Sequence, residues 1–116
     1  MNQKERMLAG LPYKAWLDGL TEEREENKKR IYRYNNTPPE QGEELGALIR
    51  EIIGKCGKNI FIEPPFRCDY GSNIEVGENF FANYNLTILD VGKVTIGKNA
   101  QIAPNVSIFT AGHPVH

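Results

Sequence analysis

The stretch that decides the fold is residues 76–113, VGENFFANYNLTILDVGKVTIGKNAQIAPNVSIFTAGH. Cut in sixes it reads VGENFF, ANYNLT, ILDVGK, then the pair Val94-Thr95, then IGKNAQ, IAPNVS and IFTAGH. Each six opens on an aliphatic residue or alanine: Val76, Ala82, Ile88, Ile96, Ile102 and Ile108. Asparagine holds the fourth place in four of them, at Asn79, Asn85, Asn99 and Asn105. IEVGEN at 74–79 and VTIGKN at 94–99 are near copies set 20 residues apart, three sixes plus two residues. Ile62 and Cys68 mark an earlier, incomplete turn of the same pattern.

A two-residue alternation builds a half-buried strand and a 3.6-residue period builds a helix; a period of six does neither. It fits a short strand followed by a corner, three to a coil, with the aliphatic residue pointing into a prism-shaped core. Asparagine tolerates left-handed backbone better than other residues with a Cβ, so its recurrence predicts a corner at each position. Gly77, Gly92 and Gly97 are predicted where a Cβ would crowd the neighbouring coil. An antiparallel sheet with Asn/Gly turns is the competing reading, but hairpins do not keep one spacing across six units.

The first half of the chain has another character. Residues 1–58 carry 21 charged side chains (11 basic, 10 acidic) against 8 in residues 59–116. Thr21, followed by Glu22 and Glu23, predicts a capped helix through EEREENKKRIYRY, ending before Asn35-Asn36. Interspersed signs mark EEREENKKR as a solvated face. Leu45, Leu48, Ile49, Ile52, Ile53 and Cys56 form one apolar helical stripe, with Gly57 placed to stop it. So little apolar surface does not hold two helices together alone, so they are predicted to dock on another element.

Of 116 residues, 40% are hydrophobic and 25% charged, and the net charge is −1. That composition is ordinary for a globular protein and offers no field to favour nucleic acid or an anionic membrane. No apolar run reaches the roughly 18 residues of a membrane span. The opening MNQKERMLAG lacks a signal peptide's apolar core, which predicts a cytoplasmic protein. Cys56 and Cys68 then read as small, partly buried apolar side chains.

With these residues on the page, VGENFFANYNLTILDVGKVTIGKNAQIAPNVSIFTAGHPVH strongly resembles the hexapeptide-repeat sugar O-acetyltransferases of the maltose and galactoside group. IEPPFRCDYGSNI at 62–74 and KERMLAGLPY near the start are similar to the same family, so the resemblance covers essentially the whole chain. It implies a mainly β protein: residues 1–57 as a small helical maltose-acetyltransferase domain, and residues 58–116 as the first coils of a left-handed parallel β-helix. That hand departs from the usual right-handed crossover. It further implies a homotrimer with clefts between neighbouring prisms, and acetyl-CoA as co-substrate.

The resemblance also gives roles to single residues. Two histidines, His113 and His116, close the chain in AGHPVH. An H-x-x-H pair supplies two zinc ligands where a catalytic site usually has three, so no metal is expected. A tag would be a run of histidines. His113 matches the family's catalytic histidine, a general base that takes a proton from a sugar hydroxyl, while His116 matches a less critical position. Asn83 matches a sugar-binding asparagine. Asp69 falls where galactoside-type enzymes have a substrate-contacting serine, and Asp90 falls near another acidic contact. Ala15 stands where those enzymes carry an aspartate, and Asp18 follows three residues later, which argues against galactoside specificity. Phe80, Phe81 and Tyr84 suggest a sugar-stacking platform, although packing beneath the helical part is expected for at least two of them.

Family members continue for several coils past this point, and those coils supply the groove for the pantetheine arm. The expectation is therefore an N-terminal portion, truncated relative to the family and inactive alone, with its acetyl-CoA contacts unassigned. The alternative functions are a non-catalytic trimeric scaffold or inactive fragment, and a different hexapeptide protein: a zinc-dependent carbonic anhydrase-like protein or an antibiotic acetyltransferase. Too few histidines oppose the former, and the helical residues 1–57 oppose the latter.

Overall fold

The computed structural model describes residues 1–110. Three helices come first, α1 (Gln3–Leu8), α2 (Leu20–Asn35) and α3 (Gly42–Ile52). Nine short strands follow among the described residues: β1 (Lys55–Cys56), β2 (Phe61–Ile62), β3 (Phe66–Cys68), β4 (Ile74–Val76), β5 (Phe81–Ala82), β6 (Leu86–Leu89), β7 (Val94–Ile96), β8 (Gln101–Ile102) and β9 (Ser107–Phe109). They form three parallel sheets in the orders β1-β4-β7, β2-β5-β8 and β3-β6-β9. Each coil gives one strand to each sheet, so the chain winds around a three-sided prism.

Every pairing keeps a separation of twenty: Cys56 faces Val76, which faces Ile96. Ile62 lies beside Ala82 and Ile102, and Cys68 beside Ile88 and Ile108. The residues that open the sixes thus stack in three columns, with Ile62, Val76, Ala82 and Ile88 buried in one core. The incomplete turn inferred at Ile62 and Cys68 is a full coil beginning at Lys55.

The corners are left-handed. Asn59, Asn79, Asn85, Asn99 and Asn105 have φ of 57°, 58°, 65°, 63° and 61°. Their amides also link coil to coil: Asn79 Nδ2 donates to Asn99 Oδ1 at 2.9 Å, and Asn85 Nδ2 to Asn105 Oδ1 at 3.0 Å. Asparagine serves twice here, as a residue that accepts the conformation and as a rung of an amide ladder. At Gly77 a Cβ would lie 2.6 Å from Lys98 N, as the glycine reading requires. Gly92 and Gly97 do not fit that reading, because a Cβ on either would meet nothing closer than 3.5 Å among the described residues.

Two helix ends differ from expectation. The N-cap of α2 is Gly19 at φ 79°, and Thr21 lies inside the helix with its hydroxyl donating to the Ala15 carbonyl. The α3 stripe buries Leu45, Leu48, Ile49 and Ile52, but the helix stops there; Ile53, buried in the same core, is its extended C-cap, and Cys56 belongs to β1. The reason is tertiary: Gly54 N–H donates to Gly71 O at 3.0 Å, which draws the chain into the first coil. Helix α1 is closed by a reciprocal cap between Asn2 and Glu5 that the sequence reading did not identify.

Helix α2 covers the first coil. Asn35 makes paired bonds with the Phe66 backbone, donating to its carbonyl and accepting from its N–H, each at 2.9 Å. Tyr34 Oη donates to the Ile62 carbonyl. Asn27, fully buried, donates to Asp69 O at 3.1 Å. A bare strand edge is a template for unwanted pairing, and these side chains take its polar groups instead.

Both thiols face inward and both are half-buried. Burial pushes the Cys68 thiol up to about 12, against the lowering effect of the Asn27 amide. Cys56 is raised by burial too, with Arg50 opposing. A raised thiol stays protonated and unreactive at neutral pH. At pH 8, Cys68 in the folded protein should therefore resist iodoacetamide while the denatured chain reacts, with mass spectrometry locating the label; prompt labelling of native Cys68 contradicts this. Asn79→Ala should cost about 1–2 kcal/mol by urea unfolding, because alanine is poor in left-handed backbone. Asn79→Gly, which keeps the conformation, should cost less; equal losses would show that the ladder and not the corner matters.

Candidate functional site

Three of the four residues singled out for function lie among the described residues. His113, with its neighbour His116, lies outside them. Asp69 and Asp90 come together at the corner that follows the β3-β6-β9 sheet, where Asp69 N–H donates to Asp90 Oδ1 at 3.0 Å. Asn83 sits at another corner, between β5 and β6, and makes no hydrogen bond to either aspartate.

Asp90 is 0% exposed. Its Oδ1 also accepts from Tyr70 N–H at 2.9 Å, its Oδ2 accepts from Asn73 N–H at 3.3 Å, and its carbonyl accepts from Asn73 Nδ2 at 2.8 Å. Burial raises the carboxyl above its ordinary value, and the backbone N–H groups oppose that rise. The expected direct contact of Asp90 with a substrate does not fit this arrangement. Both oxygens are engaged inside the protein, holding the turn of residues 69–73.

That turn carries Asp69, which is half-buried. Its N–H is bound by Asp90 and its carbonyl by Asn27, so the backbone is gripped from both sides while the carboxylate extends from it. Burial pushes the Asp69 carboxyl up, and the nearby Arg24 guanidinium lowers it. Arg24 Nη1 donates to Tyr70 Oη at 2.7 Å and its guanidinium carbon lies 5.8 Å from that ring's centroid. Gly71, at φ 76°, closes the turn against helix α3, where a Cβ would lie 2.2 Å from Ile52 O.

Asn83 is half-buried, and its Oδ1 accepts from Tyr84 N–H at 2.9 Å. On either side of inward Ala82, Phe81 and Asn83 lie along the outer face. Phe81 stacks on Phe61 of the coil below, with centroids 6.1 Å apart and planes at 20°. Of the three aromatic residues considered for packing, only Phe80 is buried; Phe81 and Tyr84 are 40% and 52% exposed. The register explains the difference, since Ala82 takes the inward place and turns Phe81 outward.

Arg24, Asn27, Tyr70 and Asn73 were not singled out from the sequence. Arg24 and Asn27 lie in the tract read as a solvated face, and most of that tract is indeed exposed. The signal was present in the helical spacing of Leu20, Asn27, Ile31 and Tyr34, the buried residues of α2. Asp18 lies apart from this corner and accepts from Gln3 N–H at 2.8 Å, fixing the start of α1. Among the described residues no group of three or more His, Cys, Asp or Glu side chains could hold a metal.

A family profile described as the maltose acetyltransferase hexapeptide capping motif matches residues 6–57. Galactoside O-acetyltransferase of Escherichia coli K12 is 45% identical over 116 residues, covering 100% of this chain and 57% of its own length. The solved maltose O-acetyltransferase of Clostridium difficile 630 is 48% identical, with a TM-score of 0.98, covering 100% of this chain and 62% of that one. A galactoside acetyltransferase solved in complex with coenzyme A is 45% identical with a TM-score of 0.96, over 100% of this chain and 58% of that one. This chain thus spans about three fifths of the length of the relatives it matches. Its coils form the left-handed parallel β-helix of the hexapeptide-repeat acetyltransferases. By sequence and by fold, the chain belongs to the maltose and galactoside O-acetyltransferase family, corresponding to the N-terminal part of the longer members.

Proposed function

We propose that a polypeptide carrying these residues transfers an acetyl group from acetyl-CoA to a sugar hydroxyl. The observation that carries this reading is similarity along the whole chain, 45% to 48% identity at TM-scores of 0.96 to 0.98, to acetyltransferases acting on galactosides and maltose. One of those structures holds coenzyme A.

His113 is the general base in this reading. It takes the hydroxyl proton as the sugar oxygen attacks the thioester carbonyl, then returns it to the sulfur as the C–S bond breaks and the ester C–O bond forms. Support comes from the resemblance of AGHPVH at 111–116 to the family's catalytic histidine motif. Asp69 and Asn83 bind acceptor hydroxyls. They occupy different corners of one prism, which suits a homotrimer whose cleft draws one residue from each of two neighbours. We expect no covalent acyl-enzyme, because neither thiol lies near His113 in the motif and both pack against the core. We assign acetyl-CoA binding to length that the relatives have and these 116 residues do not span.

Two preparations test this reading, a polypeptide of the relatives' full length that carries these residues and residues 1–116 alone. With acetyl-CoA and a panel of glucose, maltose and galactosides, the first should release free thiol and the second should not. Transfer by residues 1–116 alone overturns the assignment of acetyl-CoA binding. In the full-length form, His113→Ala should lower kcat/KM by about 10²–10⁴-fold with the oligomer unchanged in light scattering. Unchanged transfer in that variant removes His113 from catalysis.

A further inference from the structure

Asp69 is held in an unusual way for a residue at a partly exposed corner. Its N–H is bound by Asp90 and its carbonyl by Asn27, and both of these side chains are 0% exposed. The two come from separate parts of the chain, Asn27 from α2 and Asp90 from the end of the second coil's β6. Asp90 reaches across one coil to do this, and the same carboxylate takes the N–H groups of Tyr70 and Asn73. Asn27 sits in the middle of a helix, where it weakens helix propensity, at a position that spacing alone would give to an apolar residue.

Burying a carboxylate and an amide is costly unless they are satisfied, and apolar side chains would pack these positions more cheaply. A turn needed only to close the coil does not require both backbone groups of one residue to be fixed by buried side chains. What the pair achieves is a fixed direction for the Cα–Cβ bond of Asp69, and so a fixed base for its carboxylate, because the backbone that carries it cannot rotate about either neighbouring peptide without breaking a buried bond.

We infer that Asn27 and Asp90 are a pair of positioning residues, clamping the Asp69 backbone from the helix and from the next coil so that the Asp69 carboxylate is aimed at the sugar acceptor. Neither touches the acceptor. This rests on the reading above, in which Asp69 is an acceptor contact. It carries acceptor specificity partly into the helical region, through Asn27.

The test is a double-mutant cycle in the full-length polypeptide, reading acceptor KM, acetyl-CoA KM and direct acceptor binding by calorimetry without acetyl-CoA. Asp90→Asn and Asn27→Leu should each weaken acceptor binding and raise acceptor KM by about tenfold, leaving acetyl-CoA KM unchanged. Asp69→Ala should do likewise, and adding either clamp variant to Asp69→Ala should change acceptor KM little further. Effects that multiply in the double variants overturn the clamp, as does an unchanged acceptor KM in a folded clamp variant. If Asp90→Asn does not fold, Asn27→Leu decides the question from the other side. Full transfer and acceptor binding by Asp69→Ala instead overturn the acceptor reading of Asp69. Absence of transfer by the unsubstituted full-length protein overturns the proposed function itself.

Discussion

Twenty residues per coil is the constraint on which the rest of this structure depends. A parallel strand pair has no hairpin to set its register, so each coil must return to the same phase by its own length. Three strands with three corners achieve this only if no coil gains or loses a residue. A slip of one would turn every inward side chain outward. The columns Cys56–Val76–Ile96, Ile62–Ala82–Ile102 and Cys68–Ile88–Ile108 show the phase being kept. The asparagine corners hold the same phase from outside, since a ladder of amides exists only when successive coils stack corner on corner.

Such a stack has a first coil, and the first coil has an uncovered edge. Helix α2 resolves this with side chains and not with another strand. Asn35 mimics a strand partner for Phe66, while Asn27 takes the carbonyl of Asp69. Apolar residues of α2 and α3 (Ile31, Tyr34, Leu45, Ile49 and Ile52) complete the core that Ile62, Phe66 and Ile74 begin. The helices therefore have a structural task at the place where a candidate acceptor residue emerges. Support and site are joined at the Asp69 corner, and the Arg24–Tyr70 contact lies beside them.

Buried polar groups of this kind rarely stabilise a protein relative to apolar packing; they are better understood as setting one geometry among several. Asp90 illustrates the point. Its position near an acidic contact of related enzymes suggested a substrate ligand, but its oxygens are directed at the backbone of the preceding coil. Only its neighbour across the coil, Asp69, retains a partly exposed carboxylate. Nearness in sequence to a functional position is thus not the same as access to a ligand.

Much of the fold was legible in the residues themselves. A six-residue period with asparagine in the fourth place states a local rule, a strand and then a left-handed corner, and local rules are written in adjacent residues. The apolar spacing of α3 was equally plain. The end of α3 and the full first coil were not legible. Each depends on a partner twenty or so residues away: Gly71 for Gly54 and Val76 for Cys56. The candidate site divides the same way. Resemblance to the family, carried in the sequence, put forward His113, Asn83 and Asp69 as candidates. Tertiary structure alone decided that Asp90 faces inward and that Asn27 lies beneath Asp69, because burial and hydrogen-bond partners are properties of the stacked coils and not of any single one.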